Sequence, residues 1–164
     1  MTMNLKRIAR HLFAFPGQVA RAFPPATMAA IERAIREQET RHAGEIRFAV
    51  EAALDVSPLL RGQSPRERAI EVFSQLRVWD TEHNNGVLIY LLLADRDVEI
   101  VADRGIHAKT GAQWDEICRA MEAELRQGNY EKAVTDGIRA VARHLARHFP
   151  GSRVNELPDR PVVL

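Results

Sequence analysis

Every position from 87 to 93 is apolar (Val-Leu-Ile-Tyr-Leu-Leu-Leu), and the polar turn Asn84-Asn85-Gly86 precedes the run. Such a run, bounded by turn residues, predicts a strand buried on both faces. Asp95-Arg96 then reverses the chain, and Asp97-Val98-Glu99-Ile100-Val101 returns with alternating polarity. That pattern predicts an antiparallel hairpin partner. Upstream, residues 45–54 place Ile46, Phe48, Val50 and Ala52 on one face and Glu45, Arg47, Ala49 and Glu51 on the other. They predict a strand with one wetter face.

Helical spacing fills most of the remainder. Residues 4–13 carry Leu5, Ile8, Ala9, Leu12 and Phe13 on one face, with Lys6, Arg7, Arg10 and His11 on or beside the other, until Pro16-Gly17. A second helix follows Pro24-Pro25 and runs to about residue 42, with Met28, Ile31, Ala34 and Ile35 as its stripe and Gly44 as its stop. Ser64-Pro65-Arg66-Glu67 is a capping box with proline at the first helical position. It opens a helix to about residue 77 whose buried face is Ala69, Ile70, Phe73 and Leu76. Thr110, with Gln113 three residues on, predicts another start, and Trp114, Ile117, Cys118, Met121 and Leu125 form its stripe. After Gly128-Asn129 a last helix spans about 130–149 on Tyr130, Val134, Ile138, Val141, Leu145 and Phe149. Gly137 within it costs about 1 kcal/mol against alanine, which implies close packing there. Residues 55–63 read as a loop.

The expected fold class is α/β: a small mixed sheet of three to four strands sandwiched by helices, in the order α-β-α-β-β-α-α. Strand, helix, strand over 45–94 implies a parallel crossover. Three segments follow: a basic amphipathic helix and linker over 1–22, an α/β domain over 23–149, and a mobile tail over 150–164 with Pro158 and Pro161.

Composition changes this picture little. A 164-residue chain can build one domain with a real core, and a net charge of +1 gives no bulk argument for nucleic acid or membrane. The charge is uneven, however. Residues 1–22 carry Lys6, Arg7, Arg10 and Arg21 and no acid, so the rest of the chain sums to −3 (+1 less +4). A basic amphipathic helix can rest on an anionic membrane surface, but ten residues bury little area, which favours docking on its own domain or on a second copy of the chain. The single cysteine, Cys118, excludes an internal disulfide and sits on an apolar stripe, where a thiol is inert. No apolar run is long enough to span a membrane, and residues 1–15 lack the pattern of a signal peptide, so the expected location is cytoplasmic. His42, His144 and His148 fall near helix C-termini, where a positive charge suits the dipole.

The element order, Asn-Asn-Gly-Val-Leu-Ile over 84–89, the Asp95-Arg96-Asp97-Val98 hairpin and the Gly128-Asn129-Tyr130 break together resemble the TPM domain family over about residues 23–149. The resemblance implies a four-stranded sheet, the fourth strand being short and lying near residues 105–109. It also implies a family in which weak acid phosphatase activity, binding of calcium or other divalent ions, and modulation of membrane complexes have each been described. Two positions depart from the family's usual pattern. Asn84 stands where an aspartate is usual, and Asp103-Arg104-Gly105-Ile106-His107 replaces a Gly-aromatic-Gly-Leu-Glu turn.

The candidate chemistry gathers at these loops. Asp80, Glu82, Asn85, Asp103, His107 and Asp115 are the candidate metal ligands. Their oxygens suit calcium, and the histidine suits a transition metal. Asp103, Arg104 and His107 are the candidate catalytic set, a base and a cation for phosphoryl chemistry. Trp79, Asp80, Asn84, Asn85, Gly86 and Gly105 are the candidate binding loops. No nucleophile triad and no phosphate-cradling glycine loop is present. The residues favour a non-catalytic interaction module that binds a protein partner, with a divalent ion shaping its loops. The alternative is a weak metal-dependent phosphatase.

Overall fold

The computed structural model describes residues 4–110, 113–151 and 154–164. Its elements are α1 (Leu5–Phe13), α2 (Pro16–Ala22), α3 (Pro25–Glu39), β1 (Glu45–Glu51), α4 (Val56–Leu60), α5 (Pro65–Gln75), β2 (Gly86–Leu92), β3 (Asp97–Ala102), α6 (Arg104–Thr110), α7 (Trp114–Arg126), α8 (Tyr130–His148) and β4 (Val162–Val163). The sheet order is β3-β2-β1-β4, with β1 parallel to β2 and β4, and β3 antiparallel to β2.

The apolar run behaves as its pattern requires. Every residue of β2 is buried. Val87, Ile89 and Leu91 enter a core with α3, α7 and α8, whereas Leu88, Tyr90 and Leu92 enter a second core with α4 and α5. Helices therefore cover both faces of the mixed sheet. The Ser64–Glu67 capping box forms in full. Gly137 lies against Met121 so closely that a Cβ would collide with the thioether, which explains a glycine inside α8. The outer edge of β3 is occupied by side chains. Glu122 accepts the Val98 N–H at 3.2 Å, and Arg66 donates to the Ile100 carbonyl at 2.7 Å. Such bonds block pairing with a foreign strand.

Several expectations fail for physical reasons. Pro16-Gly17 opens α2 instead of simply ending α1, because proline fits the first helical turn. Residues 56–60 form the short helix α4 in the expected loop. Thr110 closes α6 instead of opening α7, and Gln113 caps α7 without a side-chain hydrogen bond. The fourth strand is not near residues 105–109, which are helical, but at Val162–Val163.

The last correction involves the wetter face of β1. Glu45, Arg47 and Glu51 are all buried. Glu51 accepts two hydrogen bonds from Arg68 at 2.9 Å and one from the Tyr90 hydroxyl at 2.6 Å. Glu45 accepts the Glu156 and Leu157 N–H groups at 3.2 and 3.3 Å, and Arg47 donates to the Pro158 and Arg160 carbonyls. Asp159 adds an ion pair to Arg36 at 3.3 Å. Buried charges need such partners. Residues 154–164 supply those of Glu45 and Arg47 as a strap ending in β4, where a mobile tail was expected. Residues 152–153 of that tail lie outside the described residues.

Candidate functional site

The candidate loops meet at the end of the sheet formed by the starts of β1 and β2 and the end of β3. Asp103 N–H donates to the Gly86 carbonyl at 2.9 Å, Gly105 N–H to the Asn84 carbonyl at 3.1 Å, and Glu45 N–H to the Asn85 carbonyl at 3.0 Å. Two glycines permit the approach. A Cβ on Gly86 would enter the Val78 carbonyl, and one on Gly105 would lie 2.6 Å from the Asn84 oxygen and 2.9 Å from that of His83. Both are scaffold residues. Asn84 has φ 52°, a left-handed backbone that asparagine tolerates better than most residues.

The loop before β2 is held firmly. Arg77 also has positive φ (54°), Val78 is fully buried, and its N–H donates to the Phe73 carbonyl at 3.0 Å. Thr81 accepts the Asn85 N–H at 3.1 Å, and Glu156 of the strap accepts the Glu82 N–H at 3.0 Å. On this base Trp79 is 47% exposed. The Arg77 guanidinium sits 5.8 Å from its ring centroid and pairs with Asp80 at 2.6 Å. Sequence reading missed Arg77, because it lies just past the end of α5 and outside any helical period.

The expected metal ligands are spread over three places. Asp80 is exposed and held by Arg77, while Glu82 is exposed and lies 3.5 Å from His83. Asn85 and Asp103 are buried at the sheet end. The Asn85 amide N–H donates to the Ala43 carbonyl, while its Oδ1 has no partner. Asp103 Oδ1 accepts the Arg104 N–H at 2.6 Å, while its Oδ2 has no partner. His107 and Asp115 are exposed and line a separate groove of about 500 Å³ with Trp114 and Arg66. Among the described residues no three of His, Cys, Asp or Glu form a group able to hold a metal ion. Of the catalytic set, Asp103 is buried, Arg104 is exposed, and His107 lines the groove with Asp115.

Electrostatics separate the remaining candidates. Burial pushes the Cys118 thiol up to about 12, helped by Glu99 and Glu122, so it is inert as expected. Burial lowers His42 to about 4 despite the Gly44 N–H it accepts, and burial followed by the charges of Arg147 and His148 lowers His144. These two are therefore neutral near pH 7, contrary to the helix-dipole expectation. His144 instead packs edge-on to Trp114, with ring centroids 5.7 Å apart.

A mixed sheet with helices on both faces and tightly linked polar loops at one end defines the class of this protein. A profile of the family described as TPM domain matches residues 18–144, and the chain belongs to that family. It is similar to the BA42 protein of the psychrophilic bacterium Bizionia argentinensis, solved by NMR. The two are 32% identical with a TM-score of 0.71, over 85% of this chain and 93% of that one. The N-terminal domain of a protein from P. gingivalis shares the fold at 19% identity and a TM-score of 0.61, over 85% of this chain and 95% of that one. No curated protein matches the chain. No helix of the described residues is long and apolar enough to cross a membrane.

Proposed function

We propose that this TPM domain is a non-catalytic interaction module that binds a protein partner through the loops at 79–86 and 103–107. The observation that carries the reading is Trp79, 47% exposed and braced by Arg77 on a loop whose base is buried. Tryptophan and arginine supply a disproportionate share of binding energy at protein interfaces. A pre-fixed side chain also loses little entropy on docking. The close approaches at Gly86 and Gly105 support the surface from beneath.

Phosphoryl transfer needs a positioned nucleophile or metal-bound water beside a cation. Asp103 is buried and its Oδ1 is taken up by the Arg104 N–H, which speaks against its use as the base. The test is hydrolysis of phosphate esters by the purified chain with added calcium, magnesium, zinc or manganese. The module reading expects the same background rate from the parent chain and from Asp103→Ala. Turnover that disappears in Asp103→Ala contradicts it and favours the alternative, a weak metal-dependent phosphatase.

One observation favours a bound divalent ion as a second reading. Asn85 Oδ1 and Asp103 Oδ2 are buried oxygens without partners, and buried polar atoms are ordinarily satisfied. Two oxygens fall short of the six to eight that calcium takes, so the side chains present fit an ion only in part. Calorimetry with the same four metals decides the point. Heat and a rise in Tm that are both lost in Asp103→Asn support the ion. A flat titration removes it.

A further inference from the structure

We infer that the outer face of α1 is a docking surface for an anionic lipid bilayer, an inference independent of the loop surface. The structure divides the apolar face of α1 in two. Ile8 packs inward against the core beneath α4 and α5, and His11 is buried, its Nδ1 accepting the Leu54 N–H at 3.0 Å. Leu5, Leu12 and Phe13 are 70%, 57% and 81% exposed. At 3.6 residues per turn, Leu12, Leu5, Ala9 and Phe13 form one continuous arc, and Lys6 and Arg10 continue it around the helix. The outward side is therefore half apolar and half basic. Phe15, 49% exposed, lies just beyond the helix, and Val56 and Leu60 of the neighbouring α4 are 55% and 53% exposed.

The charges select the occupant. Among the described residues, 4–22 carry no acid. Asp95, the carboxylate that meets α1, is buried and engaged by Arg7, Arg10 and His11. Arg10 nevertheless keeps 56% of its side chain exposed, and Lys6 is exposed. An apolar helix face edged by cations and presented outward matches the acyl-headgroup boundary of an anionic membrane. The inward anchors His11 and Arg7 hold the helix on the domain, so no unfolding is needed for contact.

Co-sedimentation of the full chain with vesicles tests this. Phosphatidylcholine vesicles containing phosphatidylglycerol should bind the chain, pure phosphatidylcholine should bind it far less, and added salt should release it. Phe13→Glu and Lys6→Glu should each lower the bound fraction by about tenfold while leaving the melting curve in place. Phe13→Trp should shift its emission to the blue on anionic vesicles only. Equal binding to both vesicles, or no binding, overturns the inference. Self-association that Phe13→Glu abolishes, without vesicle binding, also overturns it and makes a second copy of the chain the occupant.

Discussion

The two ends of the sheet treat their carboxylates differently. At the hairpin end, Asp95 meets Arg7 at 2.8 Å, Arg10 at 2.9 Å and His11 at 3.1 Å. Burial alone would raise its carboxyl, but hydrogen bonds and charge from Arg7 and His11 outweigh burial and hold it low. Three atoms there lack hydrogen bonds, Arg7 Nη2, Asp97 Oδ1 and His11 Nε2; the first two belong to opposite charges that attract, and the third lies 3.1 Å from Asp95. At the loop end, Asp103 Oδ2, Asn85 Oδ1 and His42 Nε2 are buried without partners. The hairpin end is closed by α1. The loop end is built on close backbone approaches at Gly86 and Gly105. The ion pairs to Asp95 give the first helix a structural inner face.

Substitutions test the contrast, beginning with the largest effect. Gly86→Ala places a Cβ in the Val78 carbonyl and should cost about 3 kcal/mol or more by urea denaturation, because backbone must move. A small loss would mean that the loop is not jointed there. Asp95→Ala strands the guanidinium groups of Arg7 and Arg10 and should cost about 2–3 kcal/mol, most of it from Arg7, which is the less exposed of the two. Asp103→Asn leaves an oxygen for the Arg104 N–H and should change stability by less than about 1 kcal/mol. Equal losses at 95 and 103 would erase the distinction between the ends.

Glu39 makes the stability of the chain depend on pH. Burial pushes Glu39 up to about 9 from 4.5, against the Ile46 N–H it accepts and with added repulsion from Glu45 and Asp159. The folded chain keeps a proton that the unfolded chain releases above about 4.5. The group's contribution is therefore whole below that pH and is lost as pH climbs through about 9. Glu39→Gln keeps an acceptor for Ile46 and should flatten this fall, with a gain of about 2 kcal/mol at pH 8 seen in urea melts. The smallest stability effect belongs to Trp79→Ala, within about 0.5 kcal/mol.

The patterns that could be read from sequence were those decided by near neighbours. Val87–Leu93 had to be covered on both faces, Asp95-Arg96 had to turn, and Ser64 with Glu67 had to cap. Gly137 announced its close packing. What escaped was decided across the chain. Glu45 and Arg47 look like a solvated face until the distant Glu156, Leu157, Pro158 and Arg160 bond to them, and the strap carrying those residues contains too few apolar positions to announce a strand. At the site, the loops that meet were legible as turn chemistry. The burial of Asp103 next to an exposed His107 was not, because it depends on the distant His83–Asn84 backbone packed against Gly105.

The most direct test of the central claim is site-specific photo-crosslinking inside the producing cell, with the reactive group at position 79 in one chain and at position 96 of the hairpin in another. The account predicts a discrete protein adduct from position 79, weakened when Arg77 is replaced by alanine, and none from position 96. Adducts of equal yield from both positions, or none from position 79, would contradict it.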